Sequence, residues 1–335
     1  MAKVYFTEKF DEASIRKIAE AVFHEESFGK DDKIAVKVHF GEKGNTRHVH
    51  PEEIKPILDV MKRKNYFLTD SNTLYKGSRV DNESHLKIAK EHGFGILGKL
   101  IISGGEKEIP INKKIFSKVK IGKEIAEADS LLVISHFKGH VIFSFGGAIK
   151  NVGMGSGSRA GKLEMHSKIK PSVNANCIAC GKCVEHCPAD AITIINGKAK
   201  INNEKCIGCA ECISTCQNGA ISVPWSGAPS GEVRKRCAEY AFGAAKGKKC
   251  VYITFIERIT EHCDCISDTP IIGKDVGIVA SIDPVAIDKA AYDLTFKKHG
   301  KDIFRDASGQ DGTDIFDYSE EIGLGKKDYE LVKIK

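Results

Sequence analysis

The run Ser130-Leu-Leu-Val-Ile-Ser-His136-Phe137 decides the fold. It is short, apolar and β-branched, and polar residues precede and follow it, which is typical of a strand buried on both faces of a parallel sheet. Similar runs predict strands at 3–7, 33–40, 67–70, 251–256 and 276–280. The sequence therefore predicts a sheet whose strands come from both halves of the chain.

Helical patterns separate these strands. Apolar residues recur at helical spacing over 11–26, and Pro51 favours a helix start that continues through Met61. Further helices are predicted over 82–92, over 231–245 and from Asp283-Pro284 toward His299, with Asp283 as the N-cap. This alternation predicts an α/β fold with a mostly parallel sheet and helices on both faces.

Composition excludes some classes of protein. The chain has 335 residues, of which 41% are hydrophobic and 29% charged, enough to form a sizeable core. No apolar run is long enough to cross a bilayer and the start lacks a signal-peptide pattern, so we expect a cytoplasmic protein without a membrane partner. The net charge of +6 is spread among acidic residues, which argues against a nucleic-acid partner.

Cysteines concentrate in one segment. Residues 171–224 hold Cys177-Ile-Ala-Cys180-Gly-Lys-Cys183-Val-Glu-His-Cys187-Pro188, and the same spacing recurs in a second run. The second run is Cys206-Ile-Gly-Cys209-Ala-Glu-Cys212-Ile-Ser-Thr-Cys216, with Gln217 in place of the proline. Ala-Ile follows both runs at the same offset, so the segment is an internal duplication.

This spacing is typical of proteins that carry two 4Fe-4S clusters, in which each run lends its last cysteine to the other cluster. We therefore predict two sets of ligands. The first is Cys177, Cys180, Cys183 and Cys216; the second is Cys187, Cys206, Cys209 and Cys212. Two alternatives stay open: zinc, which also binds Cys-x-x-Cys pairs, and clusters that serve only to hold a small insert together.

The predicted domains follow from this local change in composition. Residues 1–170 and 225–335 form one α/β host domain in two parts, and 171–224 form a ferredoxin-like α+β insert that resembles bacterial two-cluster ferredoxins. Three consecutive units are the alternative. Cys237 and Cys250 have no partner pattern, and we expect both to be buried as small apolar residues.

Three polar segments follow predicted strands, where open parallel sheets bind ligands. The candidate catalytic residues are His39, His136, Lys138 and His140. A glycine-rich stretch from Gly146 to Arg159 offers Lys150, Asn151 and Arg159 to an anion, with a flexible lid or a tight packing turn as the alternative. His262, Cys263 and Cys265 are a speculative second metal site, for which surface or hydrogen-bonded histidines are the alternative.

Several of these segments resemble the family called domain of unknown function 362. The resemblance lies in Lys37-Val-His-Phe-Gly-Glu42, Ser135-His-Phe-Lys-Gly-His140, Gly147-Ala-Ile-Lys-Asn-Val-Gly153, Cys263-Asp-Cys265 and the segment from Asp275 to Asp288. It covers both flanks of the insert and implies one split domain. Members that carry a ferredoxin segment are described as iron-sulfur centre proteins, and the resemblance implies no particular reaction.

Three functions are compatible with the sequence. In the first, an electron-donor or acceptor protein exchanges electrons with the two clusters, which pass them to an unknown small-molecule substrate, ligand or metal ion in the host domain, as in an oxidoreductase. In the second, the chain is a non-catalytic electron carrier or redox adaptor that docks a partner protein. In the third, it is a metal-handling maturation factor.

Overall fold

The computed structural model describes residues 1–225 and 227–335. The strands before residue 171 are β1 (Ala2–Thr7), β2 (Ile34–Lys37), β3 (Tyr66–Ser71), β4 (Leu100–Ser103), β5 (Glu106–Pro110), β6 (Lys118–Gly122), β7 (Ser130–His136), β8 (Lys138–His140) and β9 (Ser144–Gly146). The later strands are β10 (Ser172–Val173), β11 (Ile192–Ile195), β12 (Lys198–Ile201), β13 (Ile221–Ser222), β14 (Lys249–Ile256), β15 (Gly277–Ser281) and β16 (Tyr329–Lys333).

Helices connect most of these strands. Before residue 171 they are α1 (Glu12–Glu25), α2 (Pro51–Met61), α3 (Asn82–Glu91), α4 (Lys123–Ala126), α5 (Ala148–Ser156) and α6 (Arg159–His166), with a 3₁₀ turn at Phe94–Leu97. The later helices are α7 (Lys182–Glu185), α8 (Glu211–Thr215), α9 (Ser230–Ala245), α10 (Pro284–His299), α11 (Ile303–Ser308) and α12 (Asp314–Glu321). Among the described residues, no helix combines the length and the apolar character needed to cross a bilayer.

One eight-stranded sheet organises the molecule, in the order β16-β1-β15-β14-β7-β2-β3-β4. Only β15 runs against its neighbours, β14 and β1, and the other pairings in the sheet are parallel. The predicted α/β class with a mostly parallel sheet is confirmed. Strands β7 and β14 are neighbours although residues 171–224 separate them in the chain, so the sheet draws strands from both flanks of that segment.

Helices cover both faces of the sheet, as predicted. Ile15 of α1 and Ile54 of α2 belong to one apolar core. Val152 of α5, Val233 of α9 and Ile287 of α10 belong to the core on the opposite face. Strand β7 lies between the two helical layers, and all seven of its residues are therefore buried.

The helix starts follow ordinary capping chemistry. Asp11 accepts a hydrogen bond from the backbone of Ser14 at the start of α1. Asp283 accepts from the backbone of Val285 and Ala286, which confirms the predicted N-cap of α10 before Pro284. The start of α5 is capped from a distance, because the carboxylate of Asp288 accepts from the backbone N–H groups of Ala148 and Ile149.

The glycine-rich stretch after residue 146 forms helix α5 rather than a flexible lid or a turn. Its glycines allow close packing of α5 against α9. A Cβ atom placed on Gly153 would lie 2.3 Å from the carbonyl oxygen of Cys237 in α9. A lid or phosphate loop needs free backbone amides, whereas the amides in α5 serve the helix.

A small unit lies between Ser172 and Ser222. Its first and last strands, β10 and β13, pair with each other, and β11 pairs with β12. The unit packs on the host through Leu74 and Leu163, which share an apolar cluster with Cys183, Cys212 and Ile213. Polar contacts add to this interface: Lys76 donates to the carbonyl of Gln217 at 2.6 Å, and Arg159 pairs with Glu211 at 2.5 Å.

Candidate functional site

The strands that run in parallel bring their carboxyl ends to one edge of the sheet. Lys37, Asp70 and His136 are the final or near-final residues of β2, β3 and β7, and all three are buried. The Nζ atom of Lys37 lies 2.9 Å from Oδ1 of Asp70 and 2.7 Å from Oδ1 of Asn151. A buried network of charged side chains therefore lies at this edge, where α/β proteins bind ligands.

A cavity of about 660 Å³ opens at this edge, a size suited to a small molecule. We call it the central cavity. All four candidate catalytic residues line it, namely His39, His136, Lys138 and His140. Lys150 and Asn151 also line it, so the structure brings together six predicted residues from segments far apart in the sequence.

The wall of the central cavity carries more positive than negative charge. Its lining includes Arg79, Lys138, Lys150 and Lys162, against the single carboxylate of Asp70. Among the described residues, Lys150 forms no ion pair or hydrogen bond, and burial lowers its pKa to about 8. Burial also lowers the pKa of Lys162 to about 7. An anion bound here would favour the charged form of both lysines.

Two polar atoms at this wall lack partners. Nη2 of Arg79 and Nδ1 of His166 are buried, and neither has a hydrogen-bond partner among the described residues. Both residues line the central cavity. Because an unpaired buried polar group costs free energy, these atoms favour a bound ligand with polar atoms, and Nη2 of Arg79 favours an acceptor.

The histidines of the cavity differ in the hydrogen-bond partners of their rings. Nδ1 of His136 faces Oδ1 of Asp264 at 3.0 Å and its Nε2 faces the carbonyl of Glu257 at 2.8 Å, so both nitrogens meet acceptors. His39 instead meets donors, the backbone of Gly41 and the guanidinium of Arg79. Burial is the main cause that lowers the pKa of His39 well below its ordinary value.

His140 is neutral for the same main reason, because burial lowers its pKa well below the ordinary value. Its Nδ1 accepts hydrogen bonds from the backbone of Ile142 and Phe143, which leaves its proton on Nε2. His140 can therefore donate a hydrogen bond to a ligand. The arrangement as a whole offers donors and cations, suited to holding a group that carries or develops negative charge.

Apolar side chains form the rest of the cavity. Leu74, Phe143 and Met154 line it, and its exposed members Val141, Trp225 and Ile266 are 60%, 46% and 42% exposed. The ring of Trp225 lies edge-on to His166, with 4.8 Å between the ring centroids. The cavity thus combines a cationic wall with an apolar one.

In the small unit, each predicted set of cysteines surrounds its own cavity. Cys177, Cys180, Cys183 and Cys216 line one, and Cys187, Cys206, Cys209 and Cys212 line the other. The two loops have the same backbone shape, with positive φ at Ala179 and Gly181 in the first and at Gly208 and Ala210 in the second. Small residues at these positions allow this conformation.

The sulfur atoms also receive backbone hydrogen bonds in a repeated pattern. The N–H of Ala191 donates to Sγ of Cys187 and that of Ala220 to Sγ of Cys216, four residues apart in each case. Such bonds favour a thiolate that ligates iron and tune its potential. The residues present thus fit two 4Fe-4S clusters, and ligation by iron stays a prediction.

A family comparison adds to this geometry. The family model described as domain of unknown function (DUF362) matches residues 34–293, which is most of the chain. The chain belongs to the DUF362 family. No curated protein matches it.

Two solved structures are similar to this DUF362 protein at low identity. One is the lactate racemase apoprotein from Thermoanaerobacterium thermosaccharolyticum, at 13% identity and a TM-score of 0.38, covering 77% of this chain and 51% of that one. The other is a crystal structure of a Thermotoga maritima protein, at 9% identity and a TM-score of 0.41, covering 88% of this chain and 60% of that one. The DUF362 chain thus spans less than two thirds of either protein's length.

The predicted metal site of the DUF362 protein at His262, Cys263 and Cys265 is not assembled. Cys263 and Cys265 form a disulfide with each other, and a disulfide sulfur is not the thiolate that binds metal. Both sulfur residues line the central cavity, whereas His262 is not part of its lining. Across the part of the chain that the structure describes, no group of three or more His, Cys, Asp or Glu side chains is arranged to hold a single metal ion.

Arg159 is also misplaced by the sequence interpretation. It lies outside the central cavity, where its guanidinium pairs with Glu211 and donates to the carbonyl of Val80. Arg79, Lys162 and His166 take part in the cavity and were missed. No motif surrounds them. Each is a charged or polar residue that becomes buried in the fold, and a single sequence does not show which of its polar residues are buried.

Cys237 and Cys250 play no part in the cavity lining. Cys237 is fully buried in the core between α5 and α9, as expected. Cys250 is partly buried at the start of β14 and packs against the same core. Burial raises the pKa of Cys237 to about 12 and that of Cys250 to about 11, so both thiols are inert.

Proposed function

We propose that this DUF362 protein is a two-cluster iron-sulfur protein that supplies electrons to an anionic small molecule bound in the central cavity. The observation that carries the proposal is the excess of buried cations in a cavity that adjoins the cysteine-bearing unit. A 4Fe-4S cluster accepts and releases one electron at a time. The eight cysteines of the two sets would hold the clusters.

The contact between the unit and the cavity supports this proposal. Leu74 lines the central cavity and also packs in the apolar cluster that contains Cys183 and Cys212. Lys76, two residues later, donates to the carbonyl of Gln217, directly after Cys216. A short segment of the host thus connects the wall of the cavity with residues of both thiol sets.

The cavity residues have distinct roles under this proposal. Lys150 and the free Nη2 of Arg79 bind the anionic group, and Lys138 and His140 donate to atoms that gain charge on reduction. Lys138 is held by Asp264, with 3.0 Å between Nζ and Oδ2. Trp225 and Phe143 contact the apolar part of the ligand.

Ligand binding tests the host half of the proposal. Trp225 is the only tryptophan of the chain, so its fluorescence reports occupancy of the cavity. Benzoate, a carboxylate with an apolar body, is a suitable probe, and inorganic phosphate tests whether charge alone suffices. We expect benzoate to bind and Lys150→Met to weaken it by about 10- to 100-fold, since hydrogen bonds to charged groups contribute about 1.5–3 kcal/mol.

Lys297→Met is the matched control, because Lys297 is an exposed lysine on α10 far from the cavity lining. Metal analysis of anaerobically purified protein tests the other half, with about eight iron atoms per chain expected for two cubane clusters. Zinc in place of iron would refute the cluster proposal. Reducible clusters without any binding of carboxylate or phosphate probes would favour the non-catalytic electron carrier.

A further inference from the structure

Cys263 and Cys265 form a disulfide at the wall of the central cavity. Their Cα atoms lie 5.2 Å apart, and one residue, Asp264, separates them. The other ten cysteines of the chain are unpaired: eight belong to the two thiol sets, and the remaining two are Cys237 and Cys250. The only disulfide among the described residues therefore lies where a ligand of the cavity would contact it.

A role in stabilising the fold does not explain this disulfide. A cross-link stabilises mainly by restricting the unfolded chain, and the effect is smallest for the shortest loops. The segment is also held by other contacts: the backbone N–H of Glu42 donates to the carbonyl of Asp264, and the side chain of Asn45 donates to the carbonyl of Ile266. These contacts do not involve the sulfurs and would remain if the S–S bond opened.

The surroundings suit a disulfide that opens and closes. The carboxylate of Asp264 contacts His136 and pairs with Lys138, so the negative charge between the two sulfurs is compensated by a cation beside it. Nearby cations stabilise a thiolate, the form in which a sulfur leaves or attacks. Cys265 is only partly buried, which leaves its sulfur accessible from the cavity.

We propose that Cys263 and Cys265 are a redox couple that stores two electrons beside the bound ligand. This inference rests on the proposed function, because the clusters of the small unit are the reductant. In the reduction, the S–S bond breaks, each sulfur gains one electron and one proton, and two thiols result. Two 4Fe-4S clusters held by the eight cysteines of the small unit would supply one electron each, and an external one-electron donor protein would reduce them again. The protons come from solvent through the cavity.

Labelling of one tryptic peptide tests the couple directly. Cleavage after Arg258 and Lys274 gives a peptide whose only cysteines are Cys263 and Cys265. Anaerobic protein is treated with reduced methyl viologen, a one-electron donor, quenched in acid and alkylated with N-ethylmaleimide. We expect no label on this peptide before reduction and two labels after it.

An electron count provides a second readout. Wild-type protein should take up about four electrons per chain, one for each cluster and two for the disulfide, whereas the Cys263→Ser, Cys265→Ser double variant should take up about two. Cys250→Ser removes a thiol outside the couple and should behave as the wild type. Both variants keep all eight predicted cluster ligands.

The outcomes separate the two proposals. Clusters that bleach on reduction while the peptide stays unlabelled would overturn the redox couple and leave the electron-transfer function intact. Labels already present before any reductant would show free thiols and would also overturn it. Protein that lacks iron, with a peptide labelled only after dithiothreitol, would overturn the proposed function and the supply of electrons to the couple with it.

Discussion

The ring of His136 and the carboxylate of Asp264 form a buried hydrogen-bonded pair, with 3.0 Å between Nδ1 and Oδ1 and side chains that are each 1% exposed. The same carboxylate pairs with Lys138, so one buried anion contacts both side chains. Asp264 also separates the two sulfurs of the disulfide. One carboxylate thus links the charge of the cavity wall to the Cys-Asp-Cys segment.

Replacement of that side chain should destabilise the protein. We expect Asp264→Asn to lower the free energy of unfolding by about 3–5 kcal/mol, because loss of one partner leaves buried charge uncompensated. Chemical denaturation measures the change. Glu8→Gln is the control: Glu8 pairs with Lys333 but is 69% exposed, so the change should stay within about 0.5 kcal/mol. Equal effects of the two substitutions would refute this account of Asp264.

The same pair predicts a dependence on acid. His136 and Lys138 hold the pKa of Asp264 well below its ordinary value, although burial alone would raise it. The carboxyl therefore contributes stability above the unfolded-state pKa of about 4, and this contribution is lost as the pH falls toward the folded-state pKa. Measured across this pH range, the difference in unfolding free energy between wild type and Asp264→Asn should become smaller as the pH decreases. A difference that stays constant would contradict the prediction.

Iron analysis of paired cysteine variants tests the crossed ligand sets. Cys177→Ala with Cys216→Ala removes two ligands of one predicted cluster and should leave about four iron atoms per chain. Cys177→Ala with Cys187→Ala touches both predicted clusters and should leave far less iron. Cys250→Ser should retain about eight. If each run holds its own cluster, the first two results exchange places.

Binding of an anionic probe should weaken in alkali. The pKa of Lys150 lies at about 8, chiefly through burial and then through the nearby Lys138, so the side chain loses its charge as the pH rises through that range. We expect the affinity for benzoate, followed by Trp225 fluorescence, to fall above pH 8. Lys150→Met should remove this decline. A decline of equal size in the variant would assign it to another group.

Close packing of α5 against α9 should make Gly153 sensitive to substitution. The added Cβ of Gly153→Ala would meet the carbonyl oxygen and the sulfur of Cys237 at 2.3 and 2.6 Å. Overpacking of this kind costs about 1–3 kcal/mol of unfolding free energy. At Gly95 the nearest atom lies 4.0 Å away, so Gly95→Ala should have little effect. A tolerated alanine at position 153 would show that the two helices can separate.

Much of the sheet could be predicted because its central strands are apolar on both faces. The run at β7 and its neighbours carry this signal, and their predicted ranges agree with the structure within a few residues. The edge strand β16 has no such signal: Tyr329–Lys333 mixes charged and apolar residues and pairs with β1 at the other end of the chain. The antiparallel direction of β15 could not be predicted either, because an apolar strand has the same sequence pattern in parallel and antiparallel pairings.

The candidate site was predictable where it follows strand ends. His39, His136, Lys138 and His140 follow or end predicted strands, and the geometry of a parallel sheet brings them together. Arg79, Lys162 and His166 come from loops and a helix whose position depends on tertiary packing. Arg159 instead pairs with Glu211, which lies in a distant segment, and a single sequence does not reveal that pairing.

The pairing of β10 with β13 has a consequence for how such a chain can arise. Val173 lies opposite Ile221, so the polypeptide leaves the host and returns to it at neighbouring positions. A segment whose ends meet can be gained, lost or exchanged as one genetic cassette, while a short turn rejoins the host. The eight-stranded sheet and the cysteine-bearing unit can therefore have separate ancestries, joined where β10 pairs with β13.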